Sequence, residues 1–262
     1  MARKLKKNTK PKTKRTAPAR PRVVAQPHAG ERLVALMSGG LDSATLLWSL
    51  LSQDYFVDAL FIDYGQLSGR RERQATRTVV GLAEERFPGQ VHLTEVSVPS
   101  LRHLLSGSAL TSPETVPMPE AELSPETQPL VYVANRNAIL LSLAYGHATA
   151  LAAHGVAIAT YGIHCPDCDS AFLASFAKME RLALRGVLPG QPPMRLVAPF
   201  AKLEKWDIVR LGAKLGVPFE HTYTCFSEGP TPCGCCPVCI ERADAFEEVG
   251  IPDPALAAIA AA

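Results

Sequence analysis

The sequence predicts an α/β fold, a doubly wound and mostly parallel sheet followed by a small zinc-binding helical subdomain at the C-terminal end. Three observations predict it. Short apolar runs alternate with segments of helical periodicity between Arg32 and Leu215, the pattern of parallel strands joined by right-handed crossovers. The first run stops at Ser38-Gly39-Gly40, the punctuation of a strand that turns directly into a helix. Five of the seven cysteines fall between Cys225 and Cys239, in a stretch dominated by Cys, Pro and Gly. With 262 residues, 47% hydrophobic and 20% charged, the composition excludes collagen-like, coiled-coil and wholly disordered classes. The length suits one large domain with smaller attachments.

Each element has its own signal. Residues 32–37 form an apolar strand, and 42–51 repeat Leu46, Leu47 and Leu50 at helical spacing. A second strand over 56–62 ends at Asp63-Tyr64-Gly65-Gln66, and the charged segment 70–86 has the period of an exposed helix. Residues 91–98 give a third strand. The segment 106–129 holds five prolines and no helical period, so it reads as a long surface loop or lid. A helix over 137–153, a strand over 156–161, a helix over 172–184, a strand over 195–198 and a helix over 205–215 continue the alternation. A last helix covers 240–249. In such a sheet, ligands belong at the carboxyl ends of the strands. The chain therefore divides into a tail over 1–30, an α/β domain over 31–220 and a cysteine-rich subdomain over 221–262.

Charge is unevenly distributed. Residues 1–22 carry ten Lys or Arg and no acid, which leaves seventeen basic against twenty-five acidic residues in the rest. The tail is expected to be disordered and solubilising, with contact to nucleic acid or another acidic surface as the alternative. The acidic body has no general electrostatic reason to hold a long polyanion. No secretory apolar region follows the tail, so a cytoplasmic location is expected. Residues 138–163 lack Asp, Glu, Lys and Arg, yet His147, His154 and Gly155 interrupt them. That stretch reads as a buried helix followed by a core strand, with no membrane contact.

Two sites carry chemistry. In Met37-Ser38-Gly39-Gly40-Leu41-Asp42-Ser43, two glycines allow a tight turn that aims successive N–H groups and a helix N-terminus at an anion. The Ser38 and Ser43 hydroxyls add donors. No lysine follows, so this is not a Walker A loop. Cys233, Cys236 and Cys239 stand at C-x-x-C-x-x-C spacing with Cys225 eight residues upstream, a ligand set for a closed tetrahedral zinc site. Free buried cysteines and an iron–sulfur cluster are the alternatives.

The S-G-G-x-D-S turn resembles the pyrophosphate loop of the ATP-pyrophosphatase superfamily. Together with the cysteine cluster, Asp63-Tyr64-Gly65-Gln66, Arg136-Asn137, Pro166-Asp167-Cys168, Lys205, Arg242 and Asp253-Pro254, it resembles the 7-cyano-7-deazaguanine synthase family over 32–254. The resemblance implies an adenine nucleotide alpha-hydrolase-like fold, a structural zinc ion, and an ATP-dependent carbon–nitrogen ligase that uses magnesium. Its reaction adenylates 7-carboxy-7-deazaguanine, forms an amide with ammonia and dehydrates the amide to the nitrile. It further implies nucleotide contacts along Met37, Ser38, Gly39, Gly40, Leu41, Asp42, Ser43, Ala44, Thr45, Leu46 and Leu47, and at Asp63 and Tyr64. Catalytic roles fall to Asp42, Ser43 and Arg136, and substrate contacts to Asn137, Asp167 and Lys205, with Asp167 accepting from the guanine-like edge. Homodimers are common in that family.

The chain departs from the family pattern around the base pocket. Cys165 and Asp169 replace the usual Tyr and Arg that flank Pro-Asp-Cys, and Ala134-Asn135 replaces a Pro-Gly or similar pair. Cys165 and Cys168 also stand at C-x-x-C spacing and read as packing or pocket lining. Two alternatives stay open: an adenylating enzyme acting on tRNA, a protein terminus or another carboxylate, and a zinc-knuckle nucleic-acid-binding module.

Overall fold

The computed structural model of the chain describes residues 30–162, 166–187, 189–190 and 192–255. The basic tail, up to residue 29, and Cys165 lie outside them. Five strands form one sheet: β1 (Arg32–Met37), β2 (Phe56–Asp63), β3 (Val91–Ser97), β4 (Gly155–Ala157) and β5 (Arg195–Val197). Their order is β3-β2-β1-β4-β5 and every pairing is parallel. The helices are α1 (Leu41–Leu51), α2 (Gly69–Arg86), α3 (Leu101–Leu104), α4 (Gln128–Val131), α5 (Arg136–Ala150), α6 (Ser170–Ala183), α7 (Lys205–Leu215) and α8 (Pro237–Val249).

Strand periodicity sorts the core into two layers. Leu33, Ala35 and Met37 of β1, with Val57 and Ala59 of β2, face α1, α2, α7 and α8, where Leu46, Leu47, Val79, Ile208 and Phe246 are buried. Val34 of β1, Leu60 and Ile62 of β2, and Val156 of β4 face the opposite way, onto Leu141, Tyr145, Leu173 and Phe176 of α5 and α6. This is the doubly wound arrangement the alternation predicts. The chain leaves β1 toward β2 on one side and returns to β4 on the other, so the strand order reverses between β1 and β4. The crevice outside their carboxyl ends is the natural ligand site of such a sheet.

Most elements lie within two residues of the sequence reading. The fourth strand is the main exception, ending at Ala157 rather than Tyr161. β5 has only three residues to pair with, so after the Ile158 N–H donates to the Val197 carbonyl the chain leaves the sheet. Residues 158–161 line cavities instead. α8 starts three residues earlier than expected, at Pro237, because Cys236 is its N-cap and the proline occupies the first turn. The expected long loop is largely irregular, but it is tied down: Ser108, Ala109, Leu110 and Thr111 are buried, and Met118 packs on the cysteine cluster. Among the described residues no helix is long and apolar enough to cross a membrane.

Candidate functional site

β1 delivers the glycine turn to the reversal point. Gly39 has φ +68°, a left-handed conformation that a side chain resists, and an added Cβ would lie 2.5 Å from the Glu72 carbonyl oxygen. Gly40 then caps α1 with extended backbone. The Ser43 hydroxyl accepts from the Ser38 N–H at 3.2 Å and donates to the Gly40 carbonyl at 3.1 Å, which holds the turn open toward the crevice. The Tyr223 N–H donates to the Gly39 carbonyl, clasping the turn to the segment that leads into the cysteine cluster.

Behind this turn sits a charged group that sequence reading only half foresaw. The Lys205 ammonium, 5% exposed at the first position of α7, donates to Asp42 Oδ2 at 2.8 Å and stands 3.5 Å from Glu241 Oε2. It also lies 4.1 Å from the centre of the Tyr161 ring, within cation–π range. Burial would lower the Lys205 pKa, but Asp42, Tyr161 and Glu241 more than reverse this, so it stands above its ordinary value and the group is an ammonium. Burial pushes the Asp42 carboxyl up, and Lys205 offsets part of that. Asp42 Oδ1 is buried with no hydrogen-bond partner among the described residues.

Two cavities meet here. One, of about 340 Å³, is lined by Met37, Ser38, Gly40, Asp42, Ser43, Tyr64, Arg136, Asn137 and Lys205 among others. The other, of about 520 Å³, lies between α8, α7 and the end of the long loop. Arg136, Tyr161, Lys205, Phe226 and Val238 line both. Burial holds the Tyr64 hydroxyl above its ordinary pKa despite the nearby Arg136 guanidinium, to which it is hydrogen-bonded.

Several of the expected contact residues have partners of their own within the fold. Leu41, Ala44, Leu46 and Leu47 are fully buried in the core, and the Thr45 hydroxyl donates to the Leu41 carbonyl. They shape α1 rather than the cavity wall, because a helix that packs on a sheet turns only its first residues to the ligand edge. The Asp63 carboxylate accepts from the Gly65 N–H, Arg73 and the Ser97 hydroxyl, so it organises the turn after β2. Asp167 is engaged with the start of α5. Its carboxylate accepts from the Asn137 N–H at 2.9 Å and its carbonyl from Asn137 Nδ2 at 3.1 Å, which satisfies the first turn of α5. Asn137 Nδ2 also donates to Cys168 Sγ at 3.2 Å. Cys168 lines the smaller cavity and is disulfide-bonded.

Two sequence departures have local explanations. Asn135 has φ +57° at the start of α5, a left-handed conformation that asparagine tolerates better than most side chains. Asp169 caps α6, its carboxylate accepting from the Phe172 N–H. Glu72, Thr160, Tyr161 and Glu241 went unread in the sequence. No motif marks them, and only the packing of α2, of the segment after β4 and of α8 brings them to the crevice.

The cysteine cluster has the geometry of a metal centre. One sulfur from each of Cys225, Cys233, Cys236 and Cys239 lies within 4.8 Å of the others. The Ser227 and Cys233 N–H groups donate to the Cys225 sulfur, and the Cys236 N–H to Cys233. The Cys236 and Cys239 thiols hold the Cys225 thiol below its ordinary pKa. Four converging sulfurs with N–H donors around them suit a zinc ion with no open position. Cys235 is exposed and is not one of the four converging sulfurs.

Known proteins place this arrangement. The chain is 36% identical over 224 residues to 7-cyano-7-deazaguanine synthase 1 of Mesorhizobium japonicum, covering 84% of this chain and 91% of that protein. It is 40% identical over 229 residues to the 7-cyano-7-deazaguanine synthase of Archaeoglobus fulgidus, covering 86% and 90%. Among solved structures, a 4-thiouridine synthetase–RNA complex with bound ATP gives a TM-score of 0.48 at 15% identity, over 84% of this chain and 50% of that one. The model of the queuosine biosynthesis protein QueC matches residues 32–250, and the chain belongs to the QueC family.

Proposed function

We propose that the chain is a 7-cyano-7-deazaguanine synthase, an ATP-dependent ligase that converts 7-carboxy-7-deazaguanine and ammonia to the nitrile. The observation that carries this reading is the pyrophosphate turn at the end of β1 with Lys205 on Asp42 beside it, in a chain of the QueC family. In the first step a carboxylate oxygen of the substrate attacks the α-phosphorus of ATP, and the bond to the bridging oxygen of pyrophosphate breaks. Ser38, Gly40 and Ser43 line the smaller cavity at the N-terminus of α1, so that helix end and the Ser38 and Ser43 hydroxyls would meet the charge that develops on pyrophosphate. Lys205 and Arg136, at the junction of the cavities, balance the charge on the α-phosphate and orient the carboxylate. Ammonia displaces AMP to give the amide. The amide oxygen then attacks the α-phosphorus of a second ATP and pyrophosphate leaves, after which loss of AMP and of the two amide N–H protons gives the nitrile.

The donor set fits a magnesium ion, because Asp42 offers a buried, unpartnered carboxylate oxygen next to the turn. Asp42 would hold it, and when bound it would offset charge on the departing pyrophosphate. Zinc, held by Cys225, Cys233, Cys236 and Cys239, would stabilise the fold.

Mass spectrometry of the products from ATP, magnesium, ammonium and 7-carboxy-7-deazaguanine tests the reading. Nitrile with AMP and pyrophosphate is expected. AMP without the nitrile would redirect the chain to another carboxylate, and neither product would overturn the assignment.

A further inference from the structure

We infer that the larger cavity, between α7 and α8, is the subsite for the deazaguanine ring, and that Asp244 of α8 reads the ring's guanine-like edge. This rests on the reading of the chain as a 7-cyano-7-deazaguanine synthase. Two planar heterocycles must be held at once, with the substrate carboxylate and the ATP α-phosphate in contact. The structure supplies two cavities that join at Arg136 and Lys205, two cations suited to those two anions. The pyrophosphate turn lines only the smaller cavity, which assigns it to ATP. The larger one remains for the acceptor, and its volume of about 520 Å³ lies in the range of small-molecule sites.

Its walls match a flat, donor-edged ring. Val131, Val133, Trp206 and Phe226 give apolar and aromatic surface to its faces. Along α8, Glu241, Asp244 and Glu248 line the cavity from one side of the helix at three- and four-residue spacing. Asp244 and Glu248 are exposed to solvent, as are Glu122 and Glu204, which line the cavity from other elements. Glu241 is engaged with Tyr161 and Lys205 at the junction, so it belongs to the carboxylate end. Asp244, exposed to solvent, is the next carboxylate of α8, one turn or ~4.5 Å along the helix axis from Glu241, and we place the ring's donor edge there. A guanine-like edge presents two adjacent donors, the ring N1–H and the 2-amino group, and a carboxylate accepts both in parallel. An adenine edge presents an acceptor at N1, which a carboxylate repels. Asp244 therefore sorts the two purine-like rings, keeping the adenine of ATP out of the acceptor subsite. Asp167, the carboxylate expected in this role, is committed to α5.

Steady-state kinetics of the zinc-loaded full chain, Asp244→Asn and Asp244→Ala decide the matter. The substrates are 7-carboxy-7-deazaguanine and its analogue lacking the 2-amino group. Wild type should prefer the amino-bearing substrate. In both variants its KM should rise ten- to a hundred-fold, with kcat and the KM for ATP within about twofold of wild type. The analogue's KM should change far less, so the preference collapses. Variants that retain wild-type preference would overturn the subsite while leaving the activity assigned. A wild-type chain that releases no AMP with either compound would overturn the activity, and the subsite with it.

Discussion

The Lys205 ammonium donates to Asp42 Oδ2 at 2.8 Å although 163 residues separate them. The contact ties the first turn of α7 to the first turn of α1, both at the ligand edge, and makes each charge depend on the other. Lys205 is buried and the Asp42 side chain is 21% exposed, so removing one member strands its partner at a cost of about 3 kcal/mol at most. Lys205→Met and Asp42→Asn should each destabilise the chain, and the double variant should be no less stable than the worse single one. Urea denaturation of the four proteins measures the coupling, expected at about 2 kcal/mol. Strict additivity would mean that the pair is not a stabilising unit.

Gly39 has no space for a side chain. A Cβ there would meet the Glu72 carbonyl at 2.5 Å and the Thr76 N–H nitrogen at 2.7 Å, and its φ of +68° adds backbone strain. Gly39→Ala should push α2 from the turn, cost more than about 2 kcal/mol and raise the KM for ATP. At Gly40 the nearest atom to an added Cβ is the Ser38 hydroxyl oxygen at 3.3 Å, so Gly40→Ala should cost less. Thermal melts and ATP titrations of the two variants make the comparison, and equal losses would contradict it.

What was legible in the sequence is what local pattern encodes. The alternation of Leu33, Ala35 and Met37 with Val34 and Leu36 follows the two-residue period of a strand, and the glycine turn and cysteine spacing are local motifs. Lys205, Asp167 and Glu241 show the limit. Lys205 stands at the start of a helix, where a solvated lysine is as natural as a buried one, and only the arrival of α1 and α8 around it decides. Asp167 sits beside Asn137 because the chain after β4 returns to α5, a long-range contact with no local signal. Glu241 follows Cys239 of the cysteine cluster by two residues, but its direction depends on how α8 packs. The larger cavity had no sequence counterpart, being made by three elements distant along the chain.

Glu72 carries the pH dependence easiest to isolate. Its carboxylate accepts from the Ser68 hydroxyl at 2.6 Å and Gln66 Nε2 at 2.8 Å, yet burial pushes its pKa above the ordinary value. The folded chain then holds the proton more tightly than the unfolded chain. Glu72's contribution to stability therefore falls as pH rises from the unfolded value of about 4.3 through the folded one, and stays lower above it. Glu72→Gln keeps an acceptor and removes the charge. Its urea midpoint should gain on wild type as pH rises above the unfolded carboxylate value of about 4.3, and a constant difference would refute the assignment.

The cysteine cluster and the Arg242–Asp253 pair stabilise α8 in separable ways. Arg242 is buried, donates to both Asp253 oxygens at 2.7 and 2.8 Å, and reaches the Thr222 hydroxyl and the Phe219 carbonyl. Asp253→Asn weakens this fork while leaving all four sulfurs in place, so it should lower stability by about 3 kcal/mol with zinc content unchanged. Cys236→Ser removes one of the four converging sulfurs at the N-cap of α8, so zinc content and stability should fall together, because metal affinity is part of the folding free energy. It should also lower turnover, since Glu241 stands on the next turn of α8 and pairs with Lys205. Metal analysis alongside thermal melts separates the two variants. Full zinc occupancy in Cys236→Ser would mean that Cys236 is not a ligand.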